Sequence, residues 1–169
     1  MNPKIKTLTI ENFRAIRKLK LEGLSRVNLI AGCNNSGKSS VLEAIRILAS
    51  GASPEILSDI LRCREEYYGD DEGKLPLMGI ENSFPGSSLF SDFPEFSPNL
   101  KPVSILSNGN GMNMDVRISA GVFLEQWDKN GIRVLVPKAV DSHAEGVQVP
   151  AFRIVSNGTA RYLSFDSFL

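Results

Sequence analysis

The sequence predicts an α/β fold, with a mixed sheet around one loop-led helix and an antiparallel β meander after it. Three observations predict it. Residues 27–30 form a short apolar run that stops at a glycine, loops tightly and restarts over residues 41–48 as an apolar, helix-forming segment. The loop between them reads Gly32-Cys33-Asn34-Asn35-Ser36-Gly37-Lys38-Ser39-Ser40, a complete match to the pattern G-x-x-x-x-G-K-[ST]. Beyond residue 103, β-branched and aromatic runs recur between Gly- and Asn-containing turn signals.

The first strand covers residues 4–10, where Ile5, Leu8 and Ile10 stand among Lys and Thr. A second follows around Leu19 and Leu21, which alternate with Lys18, Lys20 and Glu22, so both strands should have one wet face. The link over residues 11–17 places Phe13 beside Arg14 and Arg17. Two readings stay open for it. In one, Phe13 is core and the arginines are solvated; in the other, Phe13 or Arg14 borders the loop, where a guanidinium can stack on a ring or pair with an anion.

A third strand is expected over residues 26–31, delivering the loop, and a helix from Gly37 to Ser50 should bury Val41, Ala44, Ile45 and Leu48 and stop at Gly51. A second helix starts at Ser53-Pro54-Glu55, with Ser as cap, Pro at the first helical position and an acid in the first turn, and runs to about Tyr67. Residues 69–102 are rich in Gly, Pro, Ser and acids, with Phe84, Phe90, Phe93 and Phe96 at no helical or strand period. They read as a surface connection tacked down by its phenylalanines or, alternatively, as a partner-docking segment. The last part carries runs at 103–106, 114–118, 122–126, 132–137, 147–155 and 160–165, with Asn-Gly turns at 108–109, 130–131 and 157–158. The chain thus divides into a strand-loop-helix core (1–68), an irregular connection (69–102) and an antiparallel β subdomain (103–169).

Composition sets the outer limits. The 169 residues suffice for one domain with a proper core. Nineteen basic and nineteen acidic side chains cancel, so no overall field selects nucleic acid or membrane. Cys33 and Cys63 have no second Cys or His close by in sequence, which argues against a disulfide framework or zinc knuckle. No stretch has the length of a membrane span or the pattern of a signal peptide, and a soluble cytoplasmic protein is expected, with no membrane partner.

The loop pattern arises by chance in about one chain in two hundred of this length, and its strand-loop-helix setting lowers that further. Its chemistry is phosphate binding. Backbone N–H groups of Asn35, Ser36, Gly37, Lys38 and Ser39 would form a concave anion site at the positive end of the helix. Lys38 would reach the outer phosphates of a nucleotide, Ser39 would offer its hydroxyl to Mg²⁺, and Ser40 would bond an inner phosphate. Asn34 and Asn35 suit left-handed backbone. Cys33 reads as a small side chain at a variable position, with a redox role as the sharper alternative.

Hydrolysis needs more. A carboxylate on the metal and a residue that positions the attacking water are required. No apolar run ending in Asp-Glu is present, and His143, the only histidine, stands among small and polar residues typical of a surface loop.

Two stretches carry a family resemblance: Ile5-Lys6-Thr7-Leu8-Thr9-Ile10-Glu11-Asn12-Phe13-Arg14-Ala15-Ile16, and Asn28 through the loop to Val41-Leu42-Glu43-Ala44-Ile45. Over about its first fifty residues the chain resembles the amino-terminal end of RecF/SMC/OLD-like ATPases, and its Asn-Asn-Ser-Gly-Lys-Ser loop is most similar to the OLD-like branch, which includes bacterial anti-phage ATPases. The resemblance implies the amino-terminal lobe of an ABC-type head that binds ATP with Mg²⁺. It implies Gly32, Cys33, Asn34, Asn35, Ser36, Gly37, Lys38, Ser39, Ser40 and Arg14 as nucleotide-site residues, with Lys38 catalytic and Ser39 on the metal. Heads of this kind dimerise around ATP, so a homodimer, or a partner supplying the signature half, is implied, and many act on DNA in repair or defence. Leu106-Ser107-Asn108-Gly109 echoes the signature only superficially, since a hairpin is expected there. A non-catalytic partner-binding module with a vestigial loop is the competing class. A nucleotide kinase or GTPase fits less well, because no Asn-Lys-x-Asp run is present.

Overall fold

A computed structural model describes residues 5–64, 86–92, 94, 100–111, 113–131, 133–137 and 146–165. Strands β1 (Ile5–Phe13) and β2 (Ile16–Leu21) form a tight hairpin closed by the pair Phe13 and Ile16. Helices α1 (Lys38–Ser50) and α2 (Pro54–Arg62) follow. The remaining strands are β3 (Val103–Gly109), β4 (Met114–Trp127), β5 (Arg133–Pro137), β6 (Gln148–Ser156) and β7 (Thr159–Ser164). They assemble into one sheet in the order β2-β1-β3-β4-β6-β7, with β5 paired to β4. The α/β class with its β meander is therefore what the chain adopts.

One apolar layer joins the parts. Leu8, Ile10 and Phe13 of β1, Ile105 of β3, Val116 and Ile118 of β4, and Phe152 and Ile154 of β6 meet Val41, Ala44, Ile47 and Leu48 of α1 and Leu57, Ile60 and Leu61 of α2. The period-2 burial of Leu8 and Ile10 breaks at Asn12, whose φ is 55°, and Phe13 becomes the next buried side chain. Helix α1 ends, and α2 begins, as the sequence directs. At Gly51 (φ 63°) the left-handed cap returns N–H groups to the carbonyls of Ile47 and Leu48.

Ser53 caps α2, its hydroxyl accepting from the Ile56 N–H at 3.4 Å. Ser53→Ala is expected to cost about 0.5–2 kcal/mol, read from the midpoint of urea unfolding. In the same turn, backbone and Ser53 hydrogen bonds hold the Glu55 carboxyl below its ordinary value. The stabilising contribution of Glu55 is thus present above the ordinary carboxylate range and fades as pH falls through the lowered value.

Several expectations need correction. Residues 26–31 form no strand, and Val27 and Leu29 stand 88% and 92% exposed. An apolar run becomes a strand only beside a partner that takes its N–H and C=O groups, and no described strand pairs with it. Its start is a local turn, with Asn28 bonding both the N–H and the carbonyl of Ser25 at 2.9 Å. Every ladder among the described strands is antiparallel, so the sheet is not mixed. The expected strands at 114–118 and 122–126 are one strand, because β6 pairs along β4 without a break from Val116 to Leu124.

The expected turn at 108–109 lies two residues later. β1 holds Asn108 and Gly109 in its ladder, and Gly111 (φ 74°) takes the turn instead. The echo of the signature at 106–109 is accordingly mid-sheet strand, with Ser107 buried. By contrast Asn157 (φ 48°) and Gly158 (φ 81°) form the two-residue hairpin turn that Asn-Gly favours. Helix α2 stops at Arg62, and the expected extension to residue 67 passes outside the described residues beyond Arg64.

Within the long connection, residues 86–91 are buried in the core, whereas Asp92, Lys101 and Pro102 are exposed. Leu89 and Phe90 are fully buried, Phe90 bridges Phe13 and stacks on Phe152 with ring centroids 6.2 Å apart. Phe84, Phe93, Phe96 and His143 lie outside the described residues. No described helix is long and apolar enough to cross a membrane.

Candidate functional site

The loop from Gly32 to Gly37 feeds directly into α1. Asn35 (φ 62°) and Gly37 (φ 87°) are left-handed on either side of Ser36, which turns consecutive N–H groups toward one concave side. Asn34, expected to share this conformation, does not, since the reversal is completed within residues 35–37. Gly32 serves a different need. A Cβ there would come within 2.9 Å of the Ser36 hydroxyl, so its bareness lets the loop close on itself.

The two helix starts differ in a way that matters for ligand chemistry. α2 has a serine cap and Glu55 in its first turn. α1 has neither: Gly37 makes no side-chain cap bond, and its first turn holds no acid. The first N–H groups of a helix have no intrahelical acceptor and carry the positive end of its dipole. Such a start, behind a left-handed loop and beside a lysine, is suited to an anion.

Lys38 lies across the loop, its Nζ donating to the carbonyls of Gly32 at 2.9 Å and Cys33 at 2.5 Å. Ser39 is exposed on the rim and Ser40 is buried, and both line a cleft of about 520 Å³. Gly37 and Lys38 are half-buried, while Gly32, Cys33, Asn34, Asn35 and Ser36 are exposed. Cys33 and Cys63 are free thiols. Among the described residues no cluster of three or more His, Cys, Asp or Glu could hold a metal ion.

The opposite wall of the cleft comes from elsewhere in the chain. Arg14, Arg17, Arg64 and Asp92 face the loop across it. Neither reading of the Phe13-Arg14 link is complete by itself: Phe13 is core, Arg17 is solvated and pairs with Asp92 at 3.1 Å, but Arg14 is buried. Arg14 sits in the β1–β2 turn at φ 52°, a strained conformation for a side chain of this size. It is held there by its N–H bond to the Leu89 carbonyl at 3.1 Å and by the ion pair of its Nε with Glu43 Oε2 at 2.7 Å. The other carboxylate oxygen of Glu43 accepts from Arg64 Nε, also at 2.7 Å.

Sequence patterning brought the loop and Arg14 forward but not Glu43, Arg64 or Asp92. Glu43 had a signal, lying four residues after Ser39 and so on the same helix face. Arg64 had none, because only the packing of α2 on α1 carries it to the cleft.

Residues 4–93 match the family model described as AAA ATPase domain, more than half of the 169 residues. The chain belongs to the AAA ATPase domain family. The match takes in β1, β2, the loop, both helices and the buried segment around Phe90. In its amino-terminal region this AAA ATPase domain is similar to the DNA replication and repair protein RecF of Caldanaerobacter subterraneus, 44% identical over 66 residues, 38% of this chain and 18% of RecF. The DNA double-strand break repair Rad50 ATPase of Archaeoglobus fulgidus is 42% identical over 66 residues, 38% of this chain and 7% of Rad50. An ATP/GTP phosphatase of Helicobacter pylori is 28% identical over 116 residues, 69% of this chain and 28% of that protein. The chain spans less than a third of the length of these curated relatives. Membership in the AAA ATPase domain family implies nucleotide binding.

Proposed function

We propose that this chain is the ATP-binding lobe of a RecF/SMC/OLD-like ATPase, with the Asn-Asn-Ser-Gly-Lys-Ser loop placing it nearest the OLD-like branch. The observation that carries the reading is the uncapped, acid-free start of α1 behind a left-handed loop, with Lys38 lying over it. In this reading Gly32 to Ser40 cradle the phosphates, Lys38 neutralises their charge, Ser39 supplies one ligand to Mg²⁺, and Arg14 borders the nucleotide from the opposite wall. Bound Mg²⁺ would offset phosphate charge and orient the outer phosphates.

The lobe is read as incomplete for hydrolysis. Among the described residues no group of three or more His, Cys, Asp or Glu could hold the metal, the carboxylates nearest the loop, Glu43 and Asp92, are paired with arginines, and the exposed apolar run 26–31 has no described ladder partner. Both needs would be met by the rest of a longer protein, consistent with the small share of its relatives that this chain spans. Dimerisation around ATP, with the signature half supplied by a second subunit, and work on DNA in repair or anti-phage defence complete the proposal. The competing partner-binding module loses support at Phe90, which is spent in the core rather than offered to a partner.

The test is thermal. Millimolar ATP with Mg²⁺ should raise the melting temperature of the chain, since a ligand that binds only the native state stabilises it. Turnover by the chain alone should stay at background. No shift with nucleotide would end the proposal.

A further inference from the structure

Three elements distant in sequence meet at one carboxylate. Glu43 of α1 holds Arg14, from the β1–β2 turn, through one oxygen and Arg64, from just beyond α2, through the other, each at 2.7 Å. The Glu43 and Arg14 side chains are 15% and 4% exposed, whereas Arg64 remains 36% exposed. Glu43 lies one turn below Ser39 on the same helix face, and both arginines line the cleft that Ser39 opens onto. The three charges sum to a single positive one, directed to the same cleft as Lys38.

Resting on the nucleotide reading above, we propose that Arg64 is a phosphate-binding residue of this cleft and that Glu43 is the positioning residue that presents it. A guanidinium has five N–H donors in a planar fork. Arg64 contacts Glu43 through Nε, and its two Nη groups carry the other four donors. That division suits one edge to a carboxylate and another to a phosphate, a geometry an ammonium cannot reproduce. Removing a surface cation alone would change little, but a cation anchored through a mostly buried acid loses little freedom when it meets its ligand. The arrangement also ties the end of α2 to the phosphate site, so occupancy of the cleft would tighten α2 against α1.

The test uses a fluorescent ATP analogue and, as competitor, inorganic tripolyphosphate, which has phosphates but no base or sugar. Arg64→Ala should weaken both by about tenfold or more, the scale of a lost charge-assisted hydrogen bond. Arg64→Lys should recover only part of the loss. Glu43→Gln should weaken binding as well, although it removes a negative charge from the site, and this direction separates positioning from simple electrostatics. Lys20→Ala, a cation of β2 paired with Glu22 at 2.6 Å and away from the cleft, should bind like wild type. Because Glu43→Gln also loosens the buried Arg14, the Arg64 pair of variants decides the matter if that protein melts early. Unchanged tripolyphosphate affinity in Arg64→Ala, or tighter binding in folded Glu43→Gln, overturns the proposal alone. Wild-type protein that binds neither ligand overturns the nucleotide reading and this proposal together.

Discussion

Lys38→Ala is expected to abolish the nucleotide-dependent rise in melting temperature. At a ligand concentration one hundred times Kd, wild-type protein should gain about 2.7 kcal/mol, or about 5–10 °C for a domain of this size. The variant should show no shift at the same concentration. In the unliganded protein the ammonium is occupied by the carbonyls of Gly32 and Cys33, so its removal loosens the loop but touches no core contact. The unliganded melting temperature should therefore change little, roughly what one or two exposed hydrogen bonds contribute. An equal nucleotide shift in both proteins would show that ligand binds elsewhere or that the loop is vestigial. Differential scanning fluorimetry with and without Mg²⁺ reads both effects in one experiment.

Phe90→Ala is expected to be the most destabilising of the substitutions considered, by about 3–5 kcal/mol. The ring is fully buried and stacks on Phe152, which in turn meets Phe165 at 4.8 Å, while the Phe90 backbone pairs with that of Phe13 at the end of β1. Truncation would leave a cavity between the β1 end and β6 and remove an aromatic pair worth about 0.5–1.5 kcal/mol beyond its area. The effect should reach the cleft too, because the neighbouring Leu89 carbonyl holds the Arg14 N–H. Urea unfolding gives the stability change, and Trp127→Ala, at a residue 69% exposed, should stay within about 0.5 kcal/mol as a control. A loss of under about 0.5 kcal/mol for Phe90→Ala would mean that the segment docks on the core without supporting it.

The two predictions test parts of the chain that were legible to different degrees. Lys38 could be assigned from eight consecutive residues. Phe90 could not, since a phenylalanine in an aperiodic Gly- and Pro-containing stretch carries no sign of which surface it meets.

What the sequence determined by itself is what depends on neighbours within a few residues. The loop's glycines, the start of α1 after Gly37, its stop at Gly51 and the Ser53 cap of α2 are all set by bonds spanning three to six positions. So is the Asn157-Gly158 hairpin, where backbone preference and turn type coincide. Tertiary structure alone decided the rest. Residues 26–31 have the composition of a strand but no ladder partner among the described residues, because strand formation requires a second backbone that composition cannot supply. Gly121 interrupts nothing because β6 bridges it, and Asn108-Gly109 makes no turn because β1 claims it. The Arg14–Glu43–Arg64 cluster is the clearest case: an ion pair's energy depends on distance in space, and only packing of the hairpin and α2 around α1 brings those three charges together.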